Sequence, residues 1–164
     1  MKNRIPSVAY HEAGHAVAAV RLGMRVTVAS IETKGMPPGW GLRGGVIASF
    51  DHEGAQNREE AEKAATAGLA GEQAEQLWCK EKPWRRPKST RHFSLSGDHA
   101  FVAETLRPFI KDSVDMQRTI KRLKEIARAL LSKYWSSVEA LAAKLAERKA
   151  LTGAEVKLLI AQNR

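Results

Sequence analysis

The chain has 164 residues, enough for one domain with a hydrophobic core and too few for two of ordinary size. Apolar residues make up 43% and charged residues 27%, which excludes wholesale disorder, and no apolar run reaches the roughly 18 residues a membrane-spanning helix needs. The net charge of +9 points, if to anything specific, to an acidic partner such as nucleic acid, a membrane surface or an acidic protein.

Residues 7–22 predict a first helix, capped by Ser7 and followed by Gly23. The stretch over residues 8–20 is a poor signal-peptide core, because His11, Glu12 and His15 interrupt it. The β-branched and apolar segments 26–32 and 45–50 predict short strands, joined by a loop rich in Gly and Pro. Asn57 opens a second helix that runs to about Trp78, with Glu60 completing a capping-box pattern. Residues 80–96 hold two prolines and many cations and predict an exposed loop. Ser96 or Gly97 opens a third helix that stops near Pro108. Residues 112–115 begin a fourth, on which Met116, Ile120, Leu123, Ala127, Leu130 and Tyr134 form one apolar stripe. Ser136 and Glu139 restart a helix bearing Val138, Leu141 and Leu145. Thr152 and Glu155 form a capping box before a short last helix. The expected fold is mainly α, with a small sheet near the N-terminus (α+β), and one unit over residues 1–164. The lone cysteine, Cys79, excludes an internal disulfide, fits a cytoplasmic protein and reads as an inert thiol.

Residues 10–16 read Tyr-His-Glu-Ala-Gly-His-Ala. His11 and His15 stand four apart, so a helix projects both from one face, one turn apart. Two imidazoles so placed can both reach one zinc ion at about 2.0–2.1 Å. Glu12 lies one residue round from His11, off the metal but beside its open position, where it can take a proton from an activated water. The pattern therefore points to metal-assisted hydrolysis of a peptide bond. The small and apolar neighbours Ala13, Gly14, Ala16 and Val17 suit a buried site better than a solvated helix face.

A catalytic zinc needs a third protein ligand and one open position. Glu72 or Glu75 on the second helix, Asp98 or His99 at the start of the third, and His52 or His92 in loops are the candidates. Gly68 and Gly71 share a face of the second helix with Glu75. Mid-helix glycine costs about 1 kcal/mol against alanine, so the pair calls for a close helix approach there, which would bring Glu75 towards a neighbour. Spacing alone leaves Glu75 and Asp98 both open.

At this point the sequence resembles the peptidase domain of the FtsH-type, ATP-dependent zinc proteases. Residues 9–17 (AYHEAGHAV) look like that family's zinc helix, and residues 68–77 (GLAGEQAEQL) are similar to its second helix. Ser96, Gly97, Asp98 and His99 stand where the family has a Gly-Ala-x-Asn-Asp stretch, and residues 129–160 look like its C-terminal helices. The resemblance implies zinc as cofactor, Asp98 as third ligand and Glu75 as a support behind the ligands. It implies that the strand after the Gly-rich loop offers its edge to an extended substrate, with Gly41, Leu42, Arg43, Gly44 and Gly45 in contact. Hexameric rings are implied too. Against the family pattern, no asparagine precedes Asp98, His99 follows it, and no G-x-x-x-x-G-K-[ST] motif or membrane anchor occurs. The expected substrates are therefore unfolded polypeptides, with any ATPase acting in trans.

Residues 80–92 hold six Lys or Arg and one Glu around Trp84, and Arg118, Lys121, Arg122 and Arg128 form a second basic cluster. Cations interleaved with an aromatic suit single-stranded nucleic acid. A solvated loop and helix face is the plainer expectation, and a lid over the site a further one. A non-catalytic basic interaction module, binding nucleic acid or an acidic protein, is the reading that competes with the peptidase.

Overall fold

The computed structural model describes residues 5–32, 45–81 and 94–163. In chain order it comprises α1 (Ser7–Arg21), β1 (Arg25–Ser30), β2 (Gly45–Ser49), α2 (Arg58–Glu81), α3 (Ser94–Leu106), α4 (Ser113–Lys133), α5 (Trp135–Arg148), β3 (Ala150–Thr152) and α6 (Gly153–Gln162). The fold is mainly helical with one small antiparallel sheet, the α+β class expected from the sequence. The sheet has the order β2-β1-β3. Val28 of β1 stands opposite Ile47 of β2 on one side and Thr152 of β3 on the other.

Most caps lie where the side chains dictate. Asn57 accepts the Glu60 amide at 2.9 Å ahead of α2, Asp112 accepts the Asp115 amide at 2.8 Å ahead of α4, and Thr152 with Glu155 forms a full capping box on α6. Gly23, at φ +83°, turns the chain out of α1 in the left-handed region that glycine enters without strain. Three local expectations need correction. Ser7 is the first residue of α1 rather than its cap; Pro6 holds that position with no side-chain bond. Glu60 reaches back to the Gln56 amide at 2.8 Å instead of that of Asn57. Ser136 lies inside α5, where its hydroxyl donates to the Asn163 carbonyl at 3.1 Å and ties down the end of α6. The sheet also gains β3, a strand of three residues that no local pattern announced. It exists because Ala150, Leu151 and Thr152 pair with β1 across more than a hundred residues of chain.

α2 is the central helix. One side packs on α1 in a cluster rich in alanine: Ala13 and Ala16 from α1, Ala70 and Ala74 from α2, all buried. A side chain at Gly14 would meet the Ala74 Cβ at 2.6 Å and the Ala70 carbonyl at 2.7 Å, so the two backbones nearly touch. The other side packs Ala61, Ala65 and Leu69 against Val102, Leu106, Ile110 and Leu123 of the α3–α4 region. Tyr10 stacks between Trp78 and Trp135, with centroids 5.2 and 6.0 Å away, and pins the start of α1 to the end of α2 and to α5. Antiparallel α1 and α2, in near contact, set the geometry of everything at their shared surface.

Candidate metal centre

The histidine face of α1 turns inward onto α2. His11 is buried and His15 nearly so. Their rings meet edge to face, with the two Nε2 atoms 3.0 Å apart. Asp98, in the second turn of α3, brings Oδ2 to 2.9 Å from His11 Nε2 and 3.4 Å from His15 Nε2. His11, His15 and Asp98 can thus hold a metal ion between them.

An oxygen stands behind each ring, hydrogen-bonded to His15 and at ion-pair distance from His11. His15 Nδ1 donates to the Ala67 carbonyl of α2 at 2.7 Å. His11 Nδ1 lies 3.8 Å from Glu75 Oε2, within ion-pair range and beyond a direct hydrogen bond. With both Nδ1 atoms directed at oxygen acceptors, the neutral rings turn their Nε2 lone pairs towards each other and towards the Asp98 carboxylate. Such an arrangement is repulsive unless a cation, proton or metal, sits between.

The titration of the metal-free cluster follows. Burial alone would lower the His11 pKa, but the bond to Asp98 and the nearness of Glu75 override it and raise it to about 10. Burial works against Asp98 ionisation as well, yet the two imidazoles hold that carboxyl well below the usual range. His15 is pushed up by Asp98 against the pull of burial. The metal-free site therefore keeps a proton where a metal would go. Glu12 is 5% exposed, and its Oε2 has no hydrogen-bond partner among the described residues. Burial raises its pKa, against the pull of His15 and His11.

Gly71 makes the cluster sterically feasible. A Cβ there would stand 2.6 Å from His11 Nε2 and closer still to His15 Nε2, so no other residue leaves room for the two rings. Gly68 clears space for α3 in the same way, with Phe101 and Val102 3.0–3.1 Å from where its Cβ would be. The close approach that the paired glycines called for is thus present.

The remaining third-ligand candidates go elsewhere. Glu75 backs His11 from the Nδ1 side, away from the point where the Nε2 atoms meet. Glu72 turns to α3 and α4, where its Oε2 lies 3.3 Å from His99 Nε2 and 3.1 Å from Lys124 Nζ. His52 bonds Glu60 at 3.2 Å and the Gly54 carbonyl at 3.0 Å, at the start of α2. His92, Gly41, Leu42, Arg43 and Gly44 lie outside the described residues, and Gly45 opens β2. The lid expected from the basic segment also falls largely outside them. Of the second basic cluster, Arg122 is committed to Glu62 at 2.7 Å, whereas Arg118 and Lys121 are exposed. Cys79 is half-buried against the main core. No helix among the described residues is long and apolar enough to cross a membrane.

Two contributors carry no local sequence signal: the Ala67 carbonyl, which any residue would supply, and the ion pairs of Glu72. The chain matches no protein-family model and no curated protein.

Proposed function

We propose that the chain is a zinc-dependent endopeptidase that hydrolyses unfolded or extended polypeptides, built like the peptidase domain of the FtsH-type proteases. The observation that carries this reading is the convergence of His11 Nε2, His15 Nε2 and Asp98 Oδ2 on one point, with the buried Glu12 carboxylate beside them. The cluster fits the ion. Ligand atoms held tetrahedrally at about 2.0–2.1 Å lie roughly 3.3 Å from one another. The separations here are 3.0, 2.9 and 3.4 Å. Two imidazoles and one carboxylate also leave the open position that separates catalytic from structural zinc sites.

Zinc held by these three residues would lower the pKa of a water to about 7 and polarise a peptide carbonyl. Glu12 then supplies the proton transfers. Its Oε2, buried and without another bond among the described residues, accepts the proton of the attacking water. Having taken that proton, the Glu12 carboxyl can pass it to the leaving amine. Glu75 and the Ala67 carbonyl keep the two rings in the tautomer that directs Nε2 inward.

The sheet supports the choice of substrate. β2 pairs with β1 alone among the described strands, leaving an edge that an extended peptide can join by backbone hydrogen bonds. Gly45 begins that edge, and Gly41 to Gly44 precede it in the chain. An ATPase acting in trans would supply unfolded chains, and hexameric assembly follows from the same resemblance.

The test is elemental analysis of the purified protein, with casein cleavage measured with and without a chelator, in parent and Glu12→Gln. The expected result is about one zinc per chain and chelator-sensitive cleavage. Glu12→Gln should keep the metal and cut cleavage by about 10²–10⁴-fold. Cleavage that survives Glu12→Gln unchanged would sink the mechanism. A chain that takes up no zinc, cleaves nothing and binds nucleic acid or an acidic protein would favour the non-catalytic interaction module.

A further inference from the structure

Among the described residues, Asp98 is the contribution of α3 to the metal cluster, and the position before it is open. A Cβ at Gly97 would meet nothing within 4 Å, and Gly97, His99 and Ala100 are exposed. Among the described residues, one polar tie reaches this turn from the rest of the protein besides the cluster itself. His99 Nε2 donates to Glu72 Oε2 of α2 at 3.3 Å. The same oxygen receives Lys124 Nζ of α4 at 3.1 Å, and Oε1 of Glu72 accepts from Gln76 at 3.1 Å. Glu72 is thus held by two helices and in turn holds a residue adjacent to the proposed ligand.

We propose that Glu72, through His99, is a positioning residue that sets the angle of the first turns of α3 and so keeps Asp98 aimed at His11 and His15. This inference rests on the metal-site reading above. The physical reason is leverage. Consecutive residues of a helix are rigidly coupled by its backbone hydrogen bonds, so a contact that fixes the His99 ring fixes the rotation of the Asp98 carboxylate about the helix axis. Val102 and Leu106, buried against α2 and α4 one and two turns further along, seat the body of α3, and the Glu72 tie acts on the first turns ahead of that seat. Lys124 keeps the Glu72 carboxylate from following His99 into solvent.

The experiment uses cobalt(II) as probe on the full chain, reading affinity by competition with a chelator and coordination by the visible absorption band. Glu72→Ala is expected to weaken cobalt binding about 10–100-fold and to alter the band, as loss of a group that orients a ligand does. His99→Ala, at an exposed position that threatens the fold least, should do the same. The double variant should be no worse than either single one, because both act through one contact. Glu72→Gln, which keeps an acceptor for His99, should restore most of the affinity. Thermal unfolding of the metal-free proteins should change far less than metal affinity does. Cobalt affinity and spectrum unchanged in both alanine variants, with the parent binding one ion tightly, would overturn this proposal and leave the metal site standing. Losses that add in the double variant would overturn it too. A parent that binds no cobalt overturns the metal reading and this inference with it.

Discussion

The two halves of α2 pack by opposite means. Through its first half, side chains fill space: Ala61, Ala65 and Leu69 close against Val102, Leu106 and Leu123, and the solvent flank carries Glu62 between Arg58 at 3.0 Å and Arg122 at 2.7 Å. Beyond Leu69 the helix leaves space. Gly71 has no side chain and Ala70 and Ala74 have little, so α1 comes close enough for its two histidines to lie across the helix. The first half gains stability from volume. Around Gly71 the second half gives up volume, and some helix propensity, to let polar groups converge, before Trp78 fills space again near the helix end. The contrast separates residues that hold the fold from residues that make the site within one helix, and it can be broken experimentally.

The largest effect expected is on volume in the first half. Leu69→Ala, at a side chain 1% exposed, should cost about 2–5 kcal/mol in denaturant unfolding while metal affinity of the folded protein stays near the parent's. A comparable loss of metal affinity would mean that the halves are not independent. Next comes added volume in the second half. Gly71→Ala should weaken metal binding more than about 100-fold, beyond what loss of an orienting group does, because the methyl occupies the space of the ligand nitrogens. Helix propensity alone would make the same change stabilising by about 1 kcal/mol. Calorimetric titration of the variant with zinc separates the two effects, and retained affinity would show that the rings have other room.

The third prediction concerns pH. In the metal-free protein the His11 pKa is raised from 6.5 to about 10. A raised pKa means that this group's stabilisation is complete below about 6.5 and is lost as pH climbs through about 10. The chelated protein should therefore lose thermal stability between pH 7 and 10. The zinc-loaded protein, in which the ion replaces the proton, should lose less, so the gap between their unfolding temperatures widens with pH. Metal affinity should rise over the same range by about tenfold per pH unit for each proton displaced. A gap that stays constant would show that the ion does not compete with a proton at His11. The smallest effect belongs to the charged flank. Arg122→Ala removes an ion pair whose arginine is half exposed, and should cost less than about 1 kcal/mol, shrinking further in high salt.

Much of this was legible in the sequence wherever one or two turns of chain decide the outcome. Asn57, Asp112 and Thr152 cap the helices that follow them because a side-chain oxygen reaches an amide three residues on. Four-residue spacing puts His11 and His15 on one face whatever surrounds them. Glycines at 68 and 71 announced a close approach because α-helices tolerate them at a cost. The failures were local as well: Pro6 took the cap position assigned to Ser7 without a side-chain bond, and Ser136 turned to Asn163, a partner that folding brought near. β3 escaped notice because three residues become a strand only when β1 lies beside them.

By itself, then, the sequence determined the elements, the histidine pair with its neighbouring glutamate, and the places where helices must touch. Beyond what the resemblance implied, only tertiary structure decided which carboxylate completes the cluster. Asp98 lies 87 residues from His11, and spacing left Glu75 and Asp98 both open. Local hydrogen-bonding rules extend over one helical turn, whereas the approach of α3 to α1 depends on how the side chains between them fill space. That packing directs Asp98 to the Nε2 atoms, sets Glu75 behind His11, and turns Glu72 away to Lys124 and His99.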